Sequence, residues 1–156
     1  MTEIIQTEVV VIGAGPGGYA AAFRAADLGQ RVVLIDKEES LGGVCLNRGC
    51  IPSKALLHLT KLIDDSKEAK KKGIVFDAPK INIEEIRSWK NAIISNLSSG
   101  ISRLAKARKV KTIIGTAKFQ SINELEVKNA ESTTHISFKK VIIATGSVSK
   151  TISTLP

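Results

Sequence analysis

Apolar residues along this chain fall into distinct periodicities, and each predicts an element. Glu8–Ile12 (EVVVI) is a continuous β-branched run, the pattern of a parallel strand buried on both faces; Arg31–Ile35 (RVVLI) reads as the next parallel strand and Val110–Ile114 (VKTII) as the third. Lys140–Ile143 (KVII) reads the same way. Tyr19–Leu28 is alanine-rich and meets Gly29, which predicts a helix with a glycine stop. A second helix is expected to start near Cys50 and continue through Ser53–Ile63, since Pro52 lacks an N–H and is tolerated in a first turn. It should end in a solvated turn at Lys67–Lys72, before Gly73. From Ile83 to about Ala107, apolar residues recur every three or four positions: Ile83, Ile86, Trp89, Ile93, Leu97, Ile101 and Leu104. This spacing predicts a long amphipathic helix whose apolar stripe faces the core, with Gly100 bending it or permitting close packing. The alternating runs Thr116–Phe119, Glu124–Val127 and His135–Phe138 are separated by turn formers and predict a three-stranded antiparallel meander.

The turn after the first strand changes the picture from architecture to chemistry. Gly13-Ala-Gly15-Pro-Gly17-Gly18 is a GxGxxG between a strand and a helix. Gly13 suits a tight turn, Gly15 lets backbone approach a pyrophosphate, and Gly18 allows helix against strand, while the helix N-terminus offers N–H groups to phosphate. The motif alone is weak evidence. It gains weight from the next strand and from Asp36 at that strand's end, where a ribose-binding carboxylate is wanted, with Lys37 beside it. A solvated strand-end acid is the plainer alternative for Asp36. Strand, glycine turn, helix, strand and acid in this order predict an α/β, Rossmann-like dinucleotide domain: a central parallel sheet, flanking helices, a two-helix insertion and the meander.

Leu41–Leu56 (LGGVCLNRGCIPSKAL) holds both cysteines of the chain, Cys45 and Cys50, separated by four residues. An undistorted helix would hold this pair too far apart to bridge, so an irregular turn is required, and Gly49 permits one. A helix start at Cys50, with Arg48 and Lys54 nearby, favours thiolate, which suits dithiol–disulfide exchange. A zinc pair would want CxxC spacing and further ligands, so no metal site is expected. A structural disulfide would suit a secreted protein, but Met1–Glu8 lacks a signal pattern.

The segment GGVCLNRGCIPSK resembles the signature of the flavin-dependent pyridine nucleotide–disulfide oxidoreductases, and the resemblance extends from the strand at Glu8 through Ser147. It implies an FAD-binding domain over residues 1–147, with 148–156 as a linker toward an NAD-binding domain. It implies Cys45 as the interchange thiol, Cys50 as the flavin-side thiol, and Lys54 as the lysine near the reactive edge of the flavin. Gly42, Gly43, Val44 and Cys45 would pass along FAD, the backbone near Ala117 would meet its adenosine half, and Ala144-Thr145-Gly146 resembles a second flavin-site motif. Within the family, Gly73-Ile-Val75, Trp89 and Gly100–Phe119 are more similar to the branch that oxidises dihydrolipoyl groups with NAD+ than to glutathione or mercury reductases. The resemblance then implies a homodimer and, as partner, the lipoyl-bearing acyltransferase of 2-oxo acid dehydrogenase complexes. An isolated nucleotide-binding module without turnover is the competing reading, because no second GxGxxG is present. The family's base is a His–Glu pair in a region this chain does not contain, so His58 is expected as a partly exposed helix residue and His135 as an exposed strand residue.

Composition narrows the remaining classes. With 156 residues, 43% of them apolar, the chain can bury one real core. A net charge of +8 admits nucleic acid, but the basic residues are dispersed and aromatics, at 4%, are too scarce to supply stacking platforms. No apolar run reaches the roughly 18 residues of a membrane span. Two cysteines held for cycling point to a reducing, cytoplasmic setting.

Overall fold

The computed structural model describes residues 4–148 and 150. Its strands are β1 (Ile4–Ile12), β2 (Val32–Asp36), β3 (Lys111–Ile114), β4 (Thr116–Ser121), β5 (Glu124–Lys128) and β6 (Thr133–Ile143). Its α-helices are α1 (Pro16–Asp27), α2 (Gly43–Asn47), α3 (Cys50–Ala69) and α4 (Ile83–Ala107). One six-stranded sheet runs in the order β3-β2-β1-β6-β5-β4, parallel through β6 and antiparallel from β6 to β4.

The runs of β1 and β2 are buried on both faces, whereas β3, at the edge of the sheet, is largely exposed, with Ile114 open to solvent. Val9 and Val11 of β1 and Val32 and Leu34 of β2 point to the helical layer, where they meet Ala22, Leu41, Leu46, Ile101 and Ala105. Val10, Val33 and Ile35 point the other way and meet Leu125, Val127, Ile136 and Phe138 of the meander. The antiparallel end of the sheet therefore curls over the second face. Helix α1 begins at Pro16, earlier than its alanine content suggests, because Pro at the first position is pre-set for helix. Helix α3 ends at Ala69, and a 3₁₀ turn over Lys70–Lys72 leads into Gly73 at φ 87°, the solvated stop the sequence predicts.

Three expectations change. First, His135–Phe138 and Lys140–Ile143 are one strand, β6, whose first half pairs with β5 while its length pairs with β1. Two polar lysines, Lys139 and Lys140, suggest a break, yet a strand tolerates them where one face is open. Ile142 and Ile143 are correspondingly exposed rather than buried, and His135 is half-buried rather than exposed. Second, only part of the predicted stripe of α4 is covered: Ile101 is buried and Ile86 and Ile93 are half-buried. Ile83, Trp89, Leu97 and Leu104 are exposed, whereas Ser98, Ile101 and Ala105 are buried, with Ile94 packed beside them. Periodicity detects an apolar face without saying what covers it. Third, a Cβ on Gly100 would meet nothing nearer than Arg103 Nη2 at 3.9 Å, so close packing does not require glycine there.

The expected linker falls on residues of which 149 and 151–156 lie outside those described. No helix among the described residues is long and apolar enough to cross a membrane.

Candidate functional site

Four loops converge at the carboxyl ends of the parallel strands, the position where open α/β sheets hold ligands. Backbone bonds tie them together: Gly13 N–H donates to Ile35 at 2.7 Å, Gly42 N–H to Ala14 at 2.9 Å, Gly115 N–H to Asp36 at 2.8 Å and Ala144 N–H to Ile12 at 2.8 Å. Gly13 sits at φ 99° with Ala144 against it, where a side chain would strike the Ala144 carbonyl. A Cβ on Gly18 would overlap the Gly13 carbonyl, so Gly18 sets how closely α1 lies on β1, as its place in the motif predicts. Gly43 has its own reason. At φ 61°, its added Cβ would lie 2.6 Å from Gly15 Cα, so the loop before the cysteines rests directly on the glycine loop.

Gly15 is the N-cap of α1 and offers no side-chain cap, and Pro16 follows it. The first N–H groups of this 12-residue helix therefore have no side-chain partner and face the loops. Asp36 is half-buried, and its carboxylate accepts from Ala14 N–H at 2.6 Å and from Glu38 N–H at 3.0 Å. Its observed contacts brace the glycine turn. Each oxygen accepts one bond, which leaves acceptor capacity toward the cleft.

A cleft of about 510 Å³ is lined by Gly13, Gly15, Pro16, Gly17, Asp36, Lys37, Glu38, Gly43, Val44, Cys45, Arg48, Ala144, Thr145, Gly146 and Ser147. A neighbouring cleft of about 240 Å³ shares Gly13, Asp36, Lys37 and Thr145 and adds Ala117. Most residues singled out in the sequence thus come together. Gly18 lies buried beneath the loop and Gly42 is also buried, the latter at φ 115° as N-cap of α2. Cys50 and Lys54 are exposed on the first turns of α3 and line neither cleft.

Cys45 belongs to α2 and Cys50 opens α3, so the irregularity required between them is a complete break at Arg48-Gly49. A Cβ on Gly49 would come 3.1 Å from the Val44 carbonyl, which keeps that break tight. Both cysteines are free thiols, Cys45 half-buried and Cys50 exposed. A helix start with cations nearby would lower the thiol pKa values; for Cys45 the direction is the reverse. Hydrogen bonding with the Cys50 thiol pushes the Cys45 thiol up, partial desolvation and the charge of Cys50 add to this, and the Cys50 N–H and Lys54 oppose it. The helix terminus and the lysine act in the expected sense, but the second sulfur outweighs them.

Sequence reasoning missed Ser98, which is buried and donates to the Leu41 carbonyl at 3.1 Å, pinning α4 to the loop that leads into α2. The spacing Ile94, Ser98, Ile101, Ala105 carried that signal as an alternative stripe. It also missed Asn47, whose amide donates to Ser40 and Gly43 carbonyls at 3.3 and 3.1 Å and fixes the same loop.

Residues 7–156 match the family described as Pyridine nucleotide-disulphide oxidoreductase, and the chain belongs to that family. Its relatives point further within it. The chain is 50% identical over 156 residues to the dihydrolipoyl dehydrogenase of Buchnera aphidicola subsp. Schizaphis graminum, covering 100% of this chain and 33% of the relative. It is 49% identical over 147 residues to that of Vibrio cholerae, covering 94% and 31%. The solved Cu(II) complex of the HOCl-induced flavoprotein disulfide reductase RclA from Escherichia coli matches with a TM-score of 0.77 at 26% identity, over 96% of this chain and 31% of that one. The chain spans about a third of the length of these curated relatives.

Proposed function

We propose that this chain is the N-terminal, FAD-holding portion of a dihydrolipoyl dehydrogenase, an enzyme that oxidises dihydrolipoyl groups and reduces NAD+. The observation that carries this reading is that Cys45 of a two-thiol pair lines the same cleft as the uncapped glycine loop of α1. The cleft's size and its cradle of Gly13, Gly15 and Gly43 suit the pyrophosphate and adenosine half of FAD. In this reading the N–H groups at the start of α1 hold the pyrophosphate. Asp36 and Lys37 meet the ribose, Ala117 the adenosine half, and Gly42–Cys45, Lys54 and Ala144-Thr145-Gly146 the flavin half.

The protein's own chemistry is thiol exchange. A dihydrolipoyl thiolate attacks the Cys45 sulfur of the Cys45–Cys50 disulfide, forming a mixed disulfide and releasing Cys50 as thiolate. The second lipoyl thiol then displaces Cys45, leaving cyclic lipoyl disulfide and two protein thiols. Bound FAD would supply the two-electron chemistry that reoxidises the pair and passes electrons to NAD+.

Residues 1–147 form the FAD-binding unit in this proposal, with 148–156 leading toward an NAD-binding domain. The whole enzyme is a cytoplasmic homodimer serving the lipoyl-bearing acyltransferase of a 2-oxo acid dehydrogenase complex. The 156-residue chain by itself is expected to bind FAD weakly and to lack turnover, since it holds half of a site. Absorbance at 450 nm after adding FAD and desalting, with a lipoamide-dependent NAD+ reduction assay, tests this; tight stoichiometric flavin with normal turnover would refute it. Failure of Cys45 and Cys50 to bridge under mild oxidation would remove the redox assignment.

A further inference from the structure

The charges around the glycine-loop cleft do not favour the ligand proposed for it. Asp36, Glu38, Lys37 and Arg48 line it, two of each sign, so its lining is formally neutral although a pyrophosphate would bring two negative charges. The carboxylate of Asp36 is engaged by main-chain N–H groups. Arg48, in contrast, is engaged by another side chain: its Nη2 donates to Glu38 Oε1 at 3.2 Å, with both side chains near half exposure. The backbone of Arg48 is fixed, because it caps α2 with its N–H on the Val44 carbonyl at 2.9 Å. Glu38 is fixed likewise by its own N–H on Asp36. Only the side chains of the pair are free to turn. Arg48 and Glu38 also line a second, outward cleft of about 400 Å³ with Glu39, Ser40 and Asn47, so the pair forms the ridge between the two.

We propose that Arg48 is a phosphate-positioning residue, held by Glu38 on this ridge and transferred to a phosphate oxygen when the pyrophosphate of a dinucleotide enters the cleft. The proposal rests on the dinucleotide reading above. A planar guanidinium matches two phosphate oxygens better than the single carboxylate oxygen it meets here. Its root, at the end of α2, lines the same cleft as Gly15 and Gly17. Glu38 then acts as a competitor. It keeps Arg48 extended over the cleft and sets a cost on binding that the phosphate must exceed.

Competition gives the two partners opposite signs, which mere bracing of α2 would not. ADP carries the half of the ligand this chain's own loops face, and weak binding is measurable by NMR shift titration; adenosine is the control without phosphate. Arg48→Gln is expected to weaken ADP by roughly 3- to 10-fold and to flatten its salt dependence, leaving adenosine unchanged. Arg48→Lys is expected to recover part of the loss, and Glu38→Gln to tighten ADP by roughly 2- to 5-fold. If Arg48→Gln and Glu38→Gln weaken ADP alike, or Arg48→Gln leaves ADP unchanged while the parent chain binds it, the clamp is wrong although the dinucleotide site stands. If the parent chain shows no ADP binding, the dinucleotide reading falls and the clamp with it.

Discussion

Gly17 and Gly18 are adjacent in the first turn of α1, yet substituting alanine at each should have opposite effects. At Gly17 an added Cβ meets nothing within 4 Å, so Ala gains helix propensity and restricts the unfolded chain, worth up to about 1 kcal/mol of stabilisation. At Gly18 the same Cβ would lie 2.8 Å from the Gly13 carbonyl carbon and would overlap its oxygen. Ordinary Cβ contacts begin near 3.4 Å, and the obstacle is backbone rather than the end of a flexible side chain. Helix α1 must therefore lift, or the Gly13 turn must give way together with its bond to Ile35. That places the cost at the upper end of overpacking, about 3 kcal/mol. For a chain of this length a change of 1 kcal/mol moves the melting temperature by about 2–4 °C, so Gly18→Ala should lower it by about 6–12 °C while Gly17→Ala leaves it level or slightly raised. Thermal and urea unfolding followed by circular dichroism, in one buffer, give the melting temperatures and the free energies of both variants. Equal effects for the two variants would refute the claim that contact with Gly13, rather than glycine content, governs this turn.

Ser98→Ala should cost about 1 kcal/mol in the same assay, because it strands the buried Leu41 carbonyl; no loss would mean that α4 is held by packing alone. Asp36→Ala removes the acceptor for Ala14 and Glu38 N–H groups and should cost about 2 kcal/mol while weakening ADP; unchanged stability would argue against the bracing role. In the reduced chain, the raised pKa of Cys45 means its proton persists to higher pH, so alkylation of Cys45 should accelerate only above the ordinary thiol range. Cys50→Ala removes the largest cause and should shift that rise to lower pH, read by peptide mass; an unchanged profile would show that the second sulfur is not responsible.

What the sequence revealed and what it concealed divide along physical lines. Continuous β-branched runs and the glycine turn specify local backbone; β1 and α1 start earlier than predicted, at Ile4 and Pro16, while β2 and the Gly13–Gly18 loop follow them closely. The same holds for α4, whose ends match its periodic segment. Its buried face matches only in part, at Ile101, because the apolar residues outnumber the positions this chain covers, and the small Ser98 and Ala105 are what fit beside it against the Leu41 loop and the sheet. The contact of Gly43 with Gly15 joins two loops distant in sequence, and no local pattern encodes it. Asp36 was legible as a strand-end acid, but not its main-chain partners, which depend on how the turn folds back over β2. Arg48 and Glu38 read as scattered surface charge until α2 brings them together.

The double role of β6 has a consequence for how the chain reaches this structure. Strand β1 pairs with β2 through Val9 and Val32, 23 positions apart, but with β6 through Ile4 and His135, 131 positions apart. Closing the longer loop costs more entropy before any contact repays it, and pairings of such separation slow folding. A chain emerging from the ribosome can form β1, α1 and β2 early, yet β1 keeps one side unpaired until nearly all of these residues have been made. During that interval its valines are an adhesive edge. Synthesis rate and chaperone access then bear on the yield of folded protein alongside the stability of the finished sheet.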